Sequence, residues 1–161
     1  MKKTLLAMLL STSLGLALTP MAQAATADYK GIVMHFYDDV LSQGKLDQAD
    51  KYLAMNAIEH DPSADPKLSA IDNLKAWLKM FRGAFPDLKI TIEDVITEGD
   101  RVVVRSRMTG TNTGEFMGMK ATGKKIDIEG VDIMRIADGK FVEHWGYMDS
   151  MILMQQLGMM H

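Results

Sequence analysis

Asp138-Gly139-Lys140-Phe141-Val142-Glu143-His144-Trp145-Gly146-Tyr147-Met148-Asp149 opens on a turn dipeptide and continues as an extended run. Asp-Gly between two alternating segments is a hairpin signal. The segment before it, Lys124 to Ile136, puts Ile126, Ile128, Met134 and Ile136 on one face. In the run after it, Glu143, Trp145, Tyr147 and Asp149 point one way, and Val142, His144 and Met148 the other. A polar set that ends in a carboxylate beside two aromatics is not a plain core strand. It points to a concave site with a buried acid.

Working outward, the second half of the chain keeps the period of a sheet. Leu88 to Ile96 alternates loosely, Glu98-Gly99-Asp100 is a turn, and Arg101 to Thr113 starts with three valines. A glycine-rich connection, Gly114 to Gly123, follows. The first half reads as helix. Tyr29, Val33, Phe36, Tyr37 and Val40 share one helical face, and Gly44 stops it. Leu46, Ala49, Tyr52 and Leu53 predict a short second helix, and Asn56 to His60 a short strand. Asp61 to Pro66 is loop by its proline and aspartate content. Ser69 with Asp72 predicts a capped third helix bearing Ile71, Leu74, Leu78, Phe81 and Phe85. Ser150 to Leu157 closes the chain as a short helix. Helices followed by an antiparallel meander predict an α+β fold, with a pocket between the helices and a curled sheet.

Residues 1–24 read as a secretory signal peptide: Lys2-Lys3, an apolar run from Leu5 to Leu18, and Ala22-Gln23-Ala24 before a cleavage near Ala25. The apolar run is shorter than the roughly 20 residues a membrane span needs. Residues 25–161 then form one domain of 161 − 24 = 137 residues, and the formal charge moves from −3 to −5 as the two lysines leave. A mildly acidic chain without basic clusters argues against nucleic acid as a partner. With no cysteine there is no disulfide and no thiolate metal site. The expected location is periplasmic or secreted.

The chain resembles the SnoaL-like polyketide cyclases, or ester cyclases, of the NTF2-like superfamily. The resemblance lies in His60-Asp61-Pro62, Phe85-Pro86-Asp87, Glu98-Gly99-Asp100-Arg101-Val102, Gly110 to Phe116, Thr122-Gly123, Asp138-Gly139-Lys140, Glu143-His144-Trp145, Asp149 and Gln156-Leu157-Gly158. These pieces span nearly all of the chain after the leader. The resemblance implies a cone-shaped α+β barrel, its N-terminal helices packed in a bent antiparallel sheet. It also implies an apolar pocket, no cofactor, a small-molecule ligand, and a homodimer or higher homo-oligomer. Asn112 stands where members often have histidine, and the loop before Ser69 lacks a glycine often found there.

In the cyclases an aspartate just past the Glu-His-Trp run is a general acid/base for aldol ring closure, and Asp149 matches it. One carboxyl group can take a proton beside a carbonyl and return it to the new alkoxide, if apolar walls raise its pKa. The competing reading makes Asp149 the N-cap of the closing helix. His144 offers a proton shuttle, or a structural imidazole on the face opposite Asp149. His60 enters the pocket from its mouth or anchors its own loop. Trp145, Tyr147, Phe36 and Trp77 are candidate substrate-binding walls. Arg107 and Arg135 either bind an enolate oxygen or form salt bridges on the outer face.

Two other functions use the same residues differently. A binding module would have the pocket without turnover. A Cu(I) carrier would use the methionine-rich end, Met148, Met151, Met154, Met159, Met160 and His161. The scatter of methionines through the chain favours core packing instead, and no metal site is expected.

Overall fold

The computed structural model describes residues 28–160. The expected signal peptide and its cleavage point, and the last residue His161, lie outside the described residues. Helix α1 spans Tyr29–Phe36, α2 Ala49–Tyr52, α3 Ala70–Ala84 and α4 Ser150–Leu157. The strands are β1 Leu53–Glu59, β2 Lys89–Glu98, β3 Arg101–Thr111, β4 Lys125–Ala137 and β5 Lys140–Met148. They form one curved sheet in the order β1-β5-β4-β3-β2. The fold is α+β, as expected.

The hairpin that decides the sheet is the β4–β5 turn. Asp138 and Gly139 both have positive φ, 51° and 74°, which is what a two-residue turn matched to strand twist requires. Pairing runs Ala137 to Lys140 and Ile136 to Phe141, then slips by one residue to Arg135 opposite Glu143. That bulge changes the alternation. Phe141 and His144 now share a face, opposite the buried Ile136 and Met134. A regular strand would have put Val142, and not Phe141, on the face of His144.

Two further differences matter for the site. The sheet is not a pure meander, because β1 runs parallel to β5, with a register slip between Leu53 and Ile58. The first helix does not stay α to its end. It widens into a π-helix over Tyr37–Ser42. The Arg82 guanidinium donates to the carbonyls of Leu41 and Ser42 at that widened end.

The core fills the space between the helices and the concave face. Along β3, Val102, Val104, Ser106 and Met108 are buried in alternation, as are Ile126, Ile128, Met134 and Ile136 along β4. Helix α3 is capped by Ser69, whose hydroxyl oxygen accepts from Asp72 N at 3.1 Å and whose hydroxyl donates to the Asp72 carboxylate at 2.7 Å. Its buried face carries Leu78 and Phe81, and Phe81 packs on Phe85 and Phe116 at centroid distances of 6.0 and 5.3 Å. Asn112 is fully buried and stitches the glycine-rich connection in place. Its Oδ1 accepts from Thr122 N at 2.7 Å, and its Nδ2 donates to Gly114 O at 2.9 Å. An amide suits this post because it supplies an acceptor and donors together.

Phe81 sits at the centre of this aromatic cluster with 1% exposure. Phe81→Ala is expected to cost about 3–5 kcal/mol of folding stability through lost transfer energy and a residual cavity. Urea denaturation measures it.

Candidate functional site

The helix layer and the sheet enclose a cavity of about 490 Å³. Its walls are largely apolar, with Phe36, Leu41, Trp77, Met108 and Ile128 among them. The polar floor is built from three separate parts of the chain. Tyr37 comes from the π-helical turn, Asp132 and His144 from the inward face of β4 and β5, and Glu59 from the end of β1.

These four residues form one hydrogen-bonded row. Tyr37 donates its phenol proton to Asp132 Oδ2. His144 Nε2 lies 3.1 Å from Asp132 Oδ1. His144 Nδ1 lies 2.9 Å from both oxygens of Glu59. Glu59 Oε1 also accepts from Asp61 N at 2.9 Å. The register slip in β1 brings this about, since beyond it Glu59 pairs directly with His144.

The charges in the row follow from this geometry. Burial alone would lower the His144 pKa, but hydrogen bonds and charge from Asp132 and Glu59 outweigh it and push the imidazole up to about 10. At neutral pH it is an imidazolium between two carboxylates, with both ring nitrogens as donors. Burial raises the Glu59 pKa, but the bond to His144 and its charge bring it below the usual carboxylate value. Burial, then the Asp132 charge, pushes the Tyr37 phenol well above its usual value, so it stays a donor. The side chains of His144 and Asp132 keep 30% and 28% of their surface open. The floor is therefore reachable from the cavity.

A carboxylate that bonds an imidazolium and a phenol stands on the wall of this apolar cavity, within reach of a small organic ligand. Similarity to known proteins shows the family. A family model for the SnoaL-like polyketide cyclases matches residues 31–157. The chain belongs to this family. It is 31% identical over 110 residues to the aklanonic acid methyl ester cyclase DnrD of Streptomyces peucetius, covering 67% of this chain and 72% of that one. It is 30% identical over 122 residues to the nogalonic acid methyl ester cyclase of Streptomyces nogalater, covering 71% and 87%. The solved structure of TsrD from Streptomyces laurentii superposes with a TM-score of 0.72 at 27% identity, covering 81% of this chain and 95% of that one.

Within this SnoaL-like domain the expected site residues divide sharply. His144, Phe36, Trp77 and Tyr147 line the cavity, with Tyr147 57% exposed at its edge. Asp149 does not line it. Its side chain is exposed and accepts from Ile152 N at 2.9 Å as the N-cap of α4. The capping reading describes Asp149, and the acid on the cavity wall is Asp132 instead. His60 and Trp145 stack on each other at 4.5 Å, on the face of β5 opposite His144, with Arg101 over the indole at 5.5 Å. Neither reaches the cavity. Arg107 pairs with Asp127, and Arg135 with Glu143 at 2.6 Å, both as outer-face ion pairs. The methionines of the chain end divide among surroundings. Met148 lines the cavity, Met159 packs on the core, and Met151 and Met160 are exposed. No helix among the described residues is long and apolar enough to cross a membrane.

The sequence reading missed Asp132, Tyr37 and Glu59. Asp132 carried a signal: it has the parity of Ile126, Ile128, Met134 and Ile136, so an inward strand face held a lone carboxylate. Glu59 shares the parity of Leu53 and Ala57, which also line the cavity, but reading Asn56 to His60 as a strand assigned it no face.

The row makes stability depend on pH. A free imidazole titrates near 6.5 and His144 near about 10, so its contribution is complete below 6.5 and fades as pH rises toward 10. Glu59, depressed, contributes above the ordinary carboxylate range and loses that contribution as acid protonates it. The melting temperature should thus be highest at mildly acidic pH and fall steadily on going to about pH 9. His144→Gln should melt lower throughout and lose most of that alkaline fall, as thermal melts across pH will read.

Proposed function

We propose that this SnoaL-like protein is a cofactor-independent acid/base catalyst acting on a small carbonyl-containing molecule, with Asp132 as the proton carrier. The observation that supports this most is the Tyr37–Asp132–His144–Glu59 row on the floor of an apolar cavity. Each oxygen of Asp132 accepts one bond within the row, which leaves lone pairs for a ligand.

The proposed chemistry is a balanced proton shuttle. Asp132 takes a proton from the carbon next to the ligand's carbonyl, leaving an enolate. The enolate attacks a second carbonyl of the same molecule, forming the ring bond and an alkoxide. Asp132 then returns its proton to the alkoxide. The negative charge moves from carboxylate to ligand and back beside an unchanging imidazolium. Low polarity around the floor strengthens that attraction. His144 acts here as a positioning and charge-balancing group, since both its nitrogens are already engaged. Polyketide ring closure, named for the relatives, is one case of this chemistry. Isomerisation by proton transfer is another.

A simple reporter tests the reading before the natural substrate is known. The probe is 2-acetylnaphthalene in deuterated buffer, and proton NMR follows exchange of its methyl protons. Wild-type protein should accelerate the exchange, and Asp132→Asn should lose about a hundredfold or more of it. Asp149→Asn should leave it unchanged, because an asparagine still caps α4. Acceleration that survives Asp132→Asn contradicts the assignment. A pocket that binds the probe without exchange makes the protein a binding module of the same fold.

The leading residues support export as the setting for this pocket. Lys2-Lys3, the apolar run and Ala22-Gln23-Ala24 have the make-up of a cleaved leader. Sequencing the mature N-terminus should then read Ala25 first; a retained Met1 contradicts it.

A further inference from the structure

Met117 has a φ of 51° and Gly118 one of 79°, and Phe116 and Met119 exchange both backbone hydrogen bonds at 3.0 Å. This is a two-residue hairpin turn with both central residues left-handed. The β4–β5 turn has the same form, with Asp138 at the first position. Asparagine, aspartate and glycine suit that position, whereas a methionine there sets its own Cβ against the backbone. Met117 and Asp138 are the non-glycine residues with positive φ among the described residues. The turn cannot relax out of this conformation, because its base is fixed. Thr113 N and Gly114 N both donate to Ala84 O at 3.0 Å. A Cβ on Gly114 would fall 2.0 Å from Gly83 O, so the connection lies backbone to backbone on the end of α3. Phe116 is buried and packs on Phe81 and Phe85, with centroids 5.3 and 5.5 Å away.

The methionine side chain gains little packing within the chain in return. Met117 is 65% exposed, and it also lines the cavity. Leu68, Met80 and Tyr147 share both properties. An exposed side chain on a cavity wall stands at the rim, so these four form an apolar rim to the opening. Exposed apolar surface gathered in one place marks a binding surface. A backbone outlier held in place by its surroundings points to a function for the residue that carries it. Methionine suits such a place because its unbranched thioether adapts to the shape it meets.

We infer that Met117 is a specificity-determining residue, covering an apolar extension of the ligand where that ligand leaves the cavity. This rests on the cavity being the ligand site, and it adds a requirement of length. The ligand reaches from the Asp132 floor to the rim, and its rim end carries no charge. The turn holds Met117 at a conformational cost, and that cost is offset when the extension covers the thioether. Asparagine at position 117 would give the favoured Asn-Gly turn and remove the cover. Stability and ligand preference therefore pull in opposite directions at this residue.

The test uses a matched pair, 2-acetylnaphthalene and 2-acetyl-6-hexylnaphthalene, whose hexyl chain lies at the end away from the acetyl group. Equilibrium dialysis measures both affinities, and thermal melts measure stability. Wild-type protein should bind the hexyl compound at least about tenfold tighter. Met117→Asn should melt about 2–4 °C higher, because the turn is relieved. The same variant should lose about five- to tenfold of the preference for the hexyl compound, the share of one apolar side chain. Met117→Leu keeps an apolar reach and should keep the preference, without the gain in melting temperature. A Met117→Asn variant that is more stable and keeps the full preference overturns the inference, since the residue then serves no ligand. A Met117→Asn variant that melts no higher also overturns it, since the turn then carries no cost. Equal binding of the pair by wild-type protein overturns the rim site and leaves the pocket standing. No binding of either compound overturns the pocket reading, and this inference with it.

Discussion

The imidazolium of His144, shared between Asp132 and Glu59, is the interaction on which the rest of the site depends. It joins three strands at once, since Glu59 is on β1, His144 on β5 and Asp132 on β4. The β1–β5 pairing is the parallel one in an otherwise antiparallel sheet. Tyr37 extends the row to the helix layer. Burying one cation between two carboxylates is costly in desolvation and contributes little net stability by itself. The arrangement leaves the floor of the cavity with one uncompensated negative charge. That charge is what the proposed proton transfer needs and what a plain core would avoid.

The apolar walls and the polar floor depend on each other. Phe36 packs edge-on against Phe141 at 5.0 Å, which closes the cavity beside the row. Dry walls raise the worth of each charge on the floor. The π-helical turn at Tyr37–Ser42, with its last carbonyls bound by Arg82, sets where the phenol enters. On the far side of β5, His60, Trp145, Glu143 and Arg135 form a separate surface row. One strand thus carries two polar systems; the inward one forms the cavity floor, and of the outer one only Glu143 touches the cavity.

Much of the fold was legible because its signals were local. The Asp138-Gly139 turn, the alternation of β4, the Ser69 cap and the α3 face all specify structure within a few residues. The family resemblance then supplied the curl of the sheet. The site was less legible because two bulges control it. The slip between Phe141 and Glu143 puts Phe141 on the face of His144, and the slip in β1 sets Glu59 opposite His144. Alternation counts cannot see an inserted residue. Asp149 drew attention by its place after Trp145 and Tyr147, yet a carboxylate just before a helix has a local use as its cap. His144 lines the cavity and Asp149 does not. Alternation alone does not say which face of β5 is concave. Asp132 was the available clue, because its parity matches four buried apolar residues.

Nitrogen-15 NMR of the histidine ring gives the most direct measurement of the central claim. His144 should keep protons on both ring nitrogens at pH 8, with a midpoint at the value of about 10 that its two carboxylates impose. A neutral His144 ring at pH 8, titrating near 6.5 like a free imidazole, would contradict it.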